Sequence, residues 1–210
     1  MIKAISFDVG HTLIKYNSPL NWNSLYHPAL EQVINECNIN YSDEKIEAAI
    51  PILTKYNTRV HYREVEISSD VIFSEILGLW NVNLSLLNKA KEKFYSFFQT
   101  NAIPFIDVEP VLYKLKSNNF KIGVLTDVAY GMDNGFSLKD INAISKYIDV
   151  AITSVDAGFR KPNSAGFQKL LSALNVKPYE MLYVGDEEKD IIGANKIGIV
   201  SALINRNNKE

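Results

Sequence analysis

Four short apolar runs in this 210-residue chain each end in a group able to do polar chemistry. The first is followed by Asp8 in FDVGHTL and the second by Thr126 and Asp127 in GVLTDV. Lys161 comes just after the third, in GFRKP, and Asp186 and Asp190 follow the fourth, in VGDEEKD. A carboxylate directly after a buried strand is held with few soft torsions, so it can coordinate a hard cation or attack phosphorus. If a helix starts at once, Asp186 and Asp190 lie on its same side near the N-terminus. Paired anions suit Mg2+, which takes a few carboxylates plus water and phosphate oxygens. Lys161 is a point charge that balances several negative groups. The Thr126 hydroxyl and nearby backbone N–H groups can donate to a phosphoryl oxygen. Singly these signals are weak, because an Asp after a strand is commonly a helix cap and Lys-Pro is commonly a turn. Their order and shared placement give them weight.

The elements that must position these groups follow from the hydrophobic pattern. Residues 2–9 (IKAISFDV), 121–126 (KIGVLT), 148–154 (IDVAITS), 181–185 (MLYVG) and 199–204 (IVSALI) read as buried strands. Helices are expected over 108–118, with Val111, Leu112 and Leu115 on one face, and over 165–174, with Phe167, Leu170, Leu171 and Leu174 on one face. Such alternation argues for an α/β fold, a Rossmann-like three-layer parallel sheet covered by helices. Ligands bind such sheets at the carboxyl ends of the strands, which is where the four polar ends fall.

Residues 16–101 break the alternation. They show no buried strand but four helical patterns: Leu30, Val33, Ile34, Cys37; Ile46, Ala49, Ile50, Leu53; Phe73, Ile76, Leu77; and Leu87, Ala90, Phe94, Phe97. Ser42 is placed to cap the second, and Ser68 or Ser69 the third. Pro51 should kink the second or end it early. The expected organisation is a discontinuous core of residues 1–15 and 102–210, with residues 16–101 inserted as a helical cap.

On these motifs the chain resembles the haloacid dehalogenase (HAD) superfamily, in its phosphatase-like branch with an α-helical cap. FDVGHTL is similar to the family's first motif, LTD to the second, SVDAGFRKPNSAGF to the third and YVGDEEKDIIGANKIG to the fourth. The insertion lies where this family's α-helical cap lies. The resemblance implies a Mg2+-dependent phosphohydrolase acting on a small phosphorylated metabolite through an aspartyl-phosphate. It makes Asp8 the nucleophile and Thr126 the phosphoryl-binding hydroxyl, with Asp127 beside it. Lys161 would hold Asp8 and the phosphoryl oxygens. Asp8, the Gly10 backbone carbonyl and Asp186 would ligate the metal, and Asp190 would support it directly or through water. The plainer reading of Asp190 is a first-turn carboxylate favoured by the helix dipole.

One position departs from the pattern. Family phosphatases carry a second Asp two residues after the nucleophile, as general acid and base; here it is Gly10. General acid–base catalysis is worth about 10²–10⁴-fold, so poor leaving groups should suffer most. This departure supports an alternative, a weak or silent relative that binds a phosphorylated ligand or a partner. His11, the next residue, carries an imidazole of the kind that moves protons and is a candidate replacement, although neighbouring residues on a strand-end turn point in different directions. Metal-free dehalogenases also lack the acid, but they lack the acidic fourth motif kept here. Phosphonate hydrolases lack it and use a cap lysine; Lys45, Lys55, Lys89, Lys91 and Lys93 read instead as solvated surface.

In NTRVHYREVE, Arg59, His61 and Arg63 alternate. On an extended segment they would share a face able to read an anionic substrate tail; otherwise they form a solvated charged surface. Trp22, Tyr26, Trp80, Phe94, Phe97 and Phe98 read as cap core rather than a substrate cage.

Composition sets the outer bounds. Lys plus Arg is 22 against 24 for Asp plus Glu, a net charge of −2, without the basic surplus of a nonspecific nucleic-acid binder. The one cysteine, Cys37, fits a reducing compartment and reads as a small buried hydrophobe. No signal peptide and no membrane span is visible, so a cytoplasmic protein without membrane or nucleic-acid partners is expected. Oligomeric state is not encoded in any of these features.

Overall fold

The computed structural model describes residues 1–16, 19–99 and 102–206. The chain enters through β1 (Ala4–Phe7) and turns into β2 (Ile14–Tyr16). Four helices follow: α1 (Tyr26–Glu36), α2 (Asp43–Tyr56), α3 (Ser69–Leu79) and α4 (Leu87–Phe98). Then come β3 (Ala102–Pro104), α5 (Val108–Ser117) and β4 (Lys121–Thr126). Short α6 (Asn134–Ser137) runs into a 3₁₀ segment, Leu138–Tyr147. The chain closes with β5 (Val150–Thr153), α7 (Ser154–Ala157), α8 (Ser164–Leu174), β6 (Met181–Gly185), α9 (Glu188–Asn195) and β7 (Val200–Leu203).

The main sheet has the order β5-β4-β1-β6-β7, and its pairs are parallel. Ala4 of the central strand faces Lys121 on one side and Met181 on the other, which sets the register. From β1 the chain builds one half of the sheet and then the other, so a crevice opens beside the end of β1. One face is covered by α8 and α9 around Phe167, Leu170, Tyr183 and Ala194. The other is covered by α5 and the 3₁₀ segment around Leu112, Val124, Ile141 and Ile144. The expected α/β three-layer fold is therefore present.

The four helices form their own apolar cluster around Leu30, Ile46, Phe73, Ile76 and Phe94. Val128, Tyr130 and Met132, from the segment after β4, are buried in that same cluster.

Several local expectations are corrected. At the edge of residues 16–101, half-buried Tyr16 ends the short strand β2, which pairs antiparallel with β3, Ile14 facing Pro104. Three-residue strands are too short to show alternation. Asn101, the expected last residue of the insertion, lies outside the described residues. Pro51 does not end α2, which runs on to Tyr56. Pro51 is exposed, so the carbonyl that its ring leaves without an N–H partner can be hydrated. Ser42 and Ser68 occupy N-cap positions, but neither side chain forms the capping bond. Lys91 is not solvated surface. It is 5% exposed, with its ammonium 2.5 Å from Asp70 and 2.9 Å from Asp133. Cys37 is buried, as expected.

Candidate active site

The carboxyl ends of β1, β4 and β6 bring the predicted groups together. Asp8 follows β1, and its backbone N–H still bonds the Val184 carbonyl of β6, 2.9 Å away, so the strand pairing holds the residue in place. Its side-chain oxygen lies 2.5 Å from Lys161 Nζ. The same ammonium lies 2.5 Å from Asp190 Oδ1. The other Asp190 oxygen accepts the Glu187 N–H at 3.0 Å, closing a capping box on α9. Asp190 thus lies in the first turn of α9 and also joins the charged cluster of Asp8 and Lys161. It packs directly on Gly185: a Cβ there would lie 2.4 Å from the Asp190 carboxyl carbon. The glycine of VGD is required by this approach.

Asp186 is half-buried and accepts a hydrogen bond from the Thr12 hydroxyl at 3.2 Å. Asp127 accepts the Lys161 backbone N–H at 3.0 Å and pairs with Lys189 at 3.0 Å. Asp127 therefore orients the loop that carries Lys161. A cavity of about 150 Å³ opens over these groups, with Asp8, Gly10, Thr126, Asp127 and Asp186 in its wall.

Electrostatics set the state of each group. Burial pushes the Asp8 carboxyl up to about 7, against the pull of Lys161 and with Asp190 adding repulsion. Burial, Glu187 and Asp190 likewise raise Asp186. Burial opposes the charge on Lys161, but Asp8, Tyr183 and Asp190 outweigh it and hold the ammonium well above its ordinary value. Asp127 is also buried, yet Lys161 and Lys189 keep it below the usual carboxylate range. One carboxylate oxygen from each of Asp8, Asp186 and Asp190 lies within 4.8 Å of the others. Three acids against one buried ammonium leave surplus negative charge. Two of the three acids are already strained toward the neutral form. A hard divalent cation would relieve this, so the donor set fits Mg2+, with Asp190 engaged mainly through its two existing bonds.

The remaining expectations separate. His11 does not face this cavity. It adopts φ 54° and borders a second depression with Asp186 and Arg206. Arg59, His61 and Arg63 do not share one face, because residues 58–61 form turns and a bend rather than an extended segment. Arg59 lines the cavity and pairs with Glu187. Arg63 donates to the Tyr56 carbonyl at 2.7 Å and pairs with Glu66 at 3.2 Å, while His61 is exposed. Of the aromatics, Tyr26, Trp80 and Phe94 are core. Trp22 stacks on Phe98 with ring centroids 3.8 Å apart, and both also line the cavity.

Some cavity residues were invisible to the sequence reading. Tyr16 and Asp140 line the same wall as Gly10, joined by a 2.9 Å hydrogen bond from the Tyr16 hydroxyl. Arg160 donates to the Val128 carbonyl at 2.7 Å and pairs with buried Glu66, which also accepts the Ser154 hydroxyl at 2.6 Å. That network ties the connection between α2 and α3 to the core. Arg160 was within reach, as the neighbour of Lys161 in GFRKP. Asp140 was passed over because the periodic apolar residues of its segment, Leu138, Ile141, Ile144 and Tyr147, mark a packing face and carry no sign of what the polar residues between them meet.

Comparison with known proteins agrees with this architecture. The family model described as haloacid dehalogenase-like hydrolase matches residues 7–204. A glyceraldehyde 3-phosphate phosphatase of Methanopyrus kandleri is 28% identical, over 98% of this chain and 85% of that protein. The pyrophosphatase PpaX of Bacillus cereus strain Q1 is 24% identical over 97% of this chain and 83% of its own length. Among solved structures, a 2-haloacid dehalogenase of Pseudomonas syringae superposes with a TM-score of 0.70 at 20% identity, covering 100% of this chain and 89% of the other. A HAD phosphatase of Thermococcus onnurineus gives 0.62 at 24% identity with the same coverage.

Proposed function

Since the chain belongs to the haloacid dehalogenase-like hydrolases, we propose that it is a Mg2+-dependent phosphatase of a small phosphorylated metabolite, working through an aspartyl-phosphate on Asp8. The observation that carries this reading is the convergence of Asp8, Thr126, Asp127 and Asp186 on one cavity, with Lys161 2.5 Å from Asp8. The phosphatase and pyrophosphatase relatives support phosphate as the group removed.

Asp8 is a nucleophile pinned at a strand end, able to attack phosphorus in line with the leaving oxygen. The P–O bond to the leaving group breaks as the Asp8–phosphorus bond forms, and water later releases phosphate. Lys161 keeps Asp8 oriented and offsets phosphoryl charge. The Thr126 hydroxyl, in the cavity wall, donates to a phosphoryl oxygen, with Asp127 holding the Lys161 loop behind it. Asp8, Asp186 and the Gly10 carbonyl would hold Mg2+, with Asp190 behind them. Bound there, the cation supplies charge neutralisation. The helical cap roofs the cavity and limits water, which favours small substrates.

Gly10 supports a second reading, a silent member that binds a phosphorylated ligand. A panel of metabolite phosphates, assayed with and without Mg2+ beside Asp8→Asn, separates the two. Metal-dependent turnover that Asp8→Asn abolishes is expected. Equal signal from mutant and wild type overturns the enzyme reading.

A further inference from the structure

Gly10 leaves the leaving oxygen without the usual proton donor, but the wall around it holds another acid. We propose that Asp140, positioned by Tyr16, protonates the leaving oxygen in place of the side chain missing at residue 10. This rests on the phosphatase reading above.

The argument begins with the space at residue 10. A Cβ built on Gly10 would meet Tyr16 Cε2 at 3.4 Å, ordinary contact, so the phenol ring borders the spot where an acid at residue 10 would start. The ring's hydroxyl donates to Asp140 Oδ2 at 2.9 Å. Gly10, Tyr16 and Asp140 all line the cavity that contains Asp8.

Elimination narrows the choice further. The acidic side chains lining that cavity are Asp8, Asp127, Asp140, Asp186 and Glu187. Asp8 is committed to Lys161, and Asp127 to Lys161 and Lys189. Asp186 belongs to the cation cluster. Glu187 is held ionised by Lys189 and Arg59. Asp140 has no ion-pair partner among the described residues, and the groups that hydrogen-bond it, the Tyr16 phenol and the Gln99 side chain, are both neutral. A half-buried carboxyl without a cation favours its protonated form. Burial does raise it, while the hydrogen bonds from Tyr16 and Gln99 work in the opposite direction. His11, the alternative donor, borders the other depression.

The step balances. As the bond from phosphorus to the leaving oxygen breaks, the Asp140 proton passes to that oxygen and leaves a carboxylate. In the second half, that carboxylate takes a proton from the water that attacks phosphorus, and Asp140 returns to its starting state. Tyr16 is a positioning residue that holds the Asp140 carboxyl through Oδ2.

The test uses leaving groups. With Mg2+ present, kcat/KM is measured for a simple alkyl phosphate and for 4-nitrophenyl phosphate, whose leaving group needs little protonation. Because kcat/KM reports the steps up to leaving-group departure, Asp140→Asn should lower the alkyl value by roughly 10²–10⁴-fold. The aryl value should fall far less, so the alkyl-to-aryl ratio drops. Adding Gly10→Asp to Asp140→Asn should recover at least ~10-fold of the alkyl rate, since an acid then returns to the wall. Equal losses on both substrates, or no loss on either, overturn the proposal. Should Asp140→Asn fail to fold by circular dichroism, Tyr16→Phe carries the test with the same ratio, where an unchanged ratio overturns it. Wild-type protein without turnover of either phosphate removes the phosphatase reading itself, and this proposal with it. A wild type active on both that Asp8→Asn silences keeps that reading whatever Asp140 does.

Discussion

Lys161 Nζ stands 2.5 Å from Asp190 Oδ1, in a site where both side chains are almost wholly enclosed. The bond joins the loop after α7 to the first turn of α9, and the same ammonium reaches Asp8. Lys161→Met should therefore do more than remove a charge from the site. It leaves two buried carboxylates facing each other without a cation. Breaking a buried pair from one side costs about 3–5 kcal/mol. Loss of turnover together with a drop of that order in urea-denaturation stability is expected. Unchanged stability would mean that the cluster is hydrated rather than enclosed.

Asp8→Asn should have the opposite effect on stability. Asp8 is raised to about 7 in the folded chain, against about 3.9 in an unfolded one. Between those values the native state binds more protons than the unfolded state, so the Asp8 contribution makes stability fall as pH rises through roughly 4–7. The cause is burial and Asp190 outweighing Lys161. In chelator, the Asn variant should melt above wild type at pH 8, and the gap should narrow toward pH 5. With Mg2+ the cation favours the carboxylate and the gap should shrink at every pH. A pH-independent gap in thermal melts would count against this.

Arg59 pairs with Glu187 across the join between insertion and core, and both line the cavity. Burial alone would raise Glu187, but Lys189 and Arg59 bring it down to about 2. The pair therefore persists through acid pH, lost only as pH falls toward that value. Arg59→Ala is expected to raise KM several-fold with a smaller change in kcat, because a guide at the cavity mouth is removed. Its stability cost should stay within about 1 kcal/mol, as for other partly exposed pairs. A kcat-only defect measured at saturating substrate would contradict this.

Pro51 lies inside α2 on an exposed face. Proline in a helix interior costs about 3 kcal/mol relative to good helix formers. Pro51→Ala should raise the melting temperature by restoring one backbone bond, with no effect on turnover. A lower melting temperature would show that the ring packs against something the helix needs.

Much of the fold and half of the site could be read along the chain. The runs 121–126 and 181–185 coincide with β4 and β6, because fully buried parallel strands are continuous apolar segments. β2 and β3 escaped because three residues carry no period. Lys91 was misassigned because its helix pattern records its position but not its partners, Asp70 and Asp133, which lie on other segments.

The sequence by itself determined the parallel α/β core, the helical insertion and the order of Asp8, Thr126, Lys161, Asp186 and Asp190. These depend on residue type, short spacing and strand-end position, all of which are local. Only the tertiary structure decided that Lys161 bridges Asp8 and Asp190, that Asp127 holds the Lys161 loop, and that Tyr16 and Asp140 stand beside the vacant position at Gly10. Tyr16 and Asp140 are 124 residues apart. Their meeting depends on how β3, which pairs with β2, packs against the 3₁₀ segment after β4, a relation between surfaces that no local pattern records.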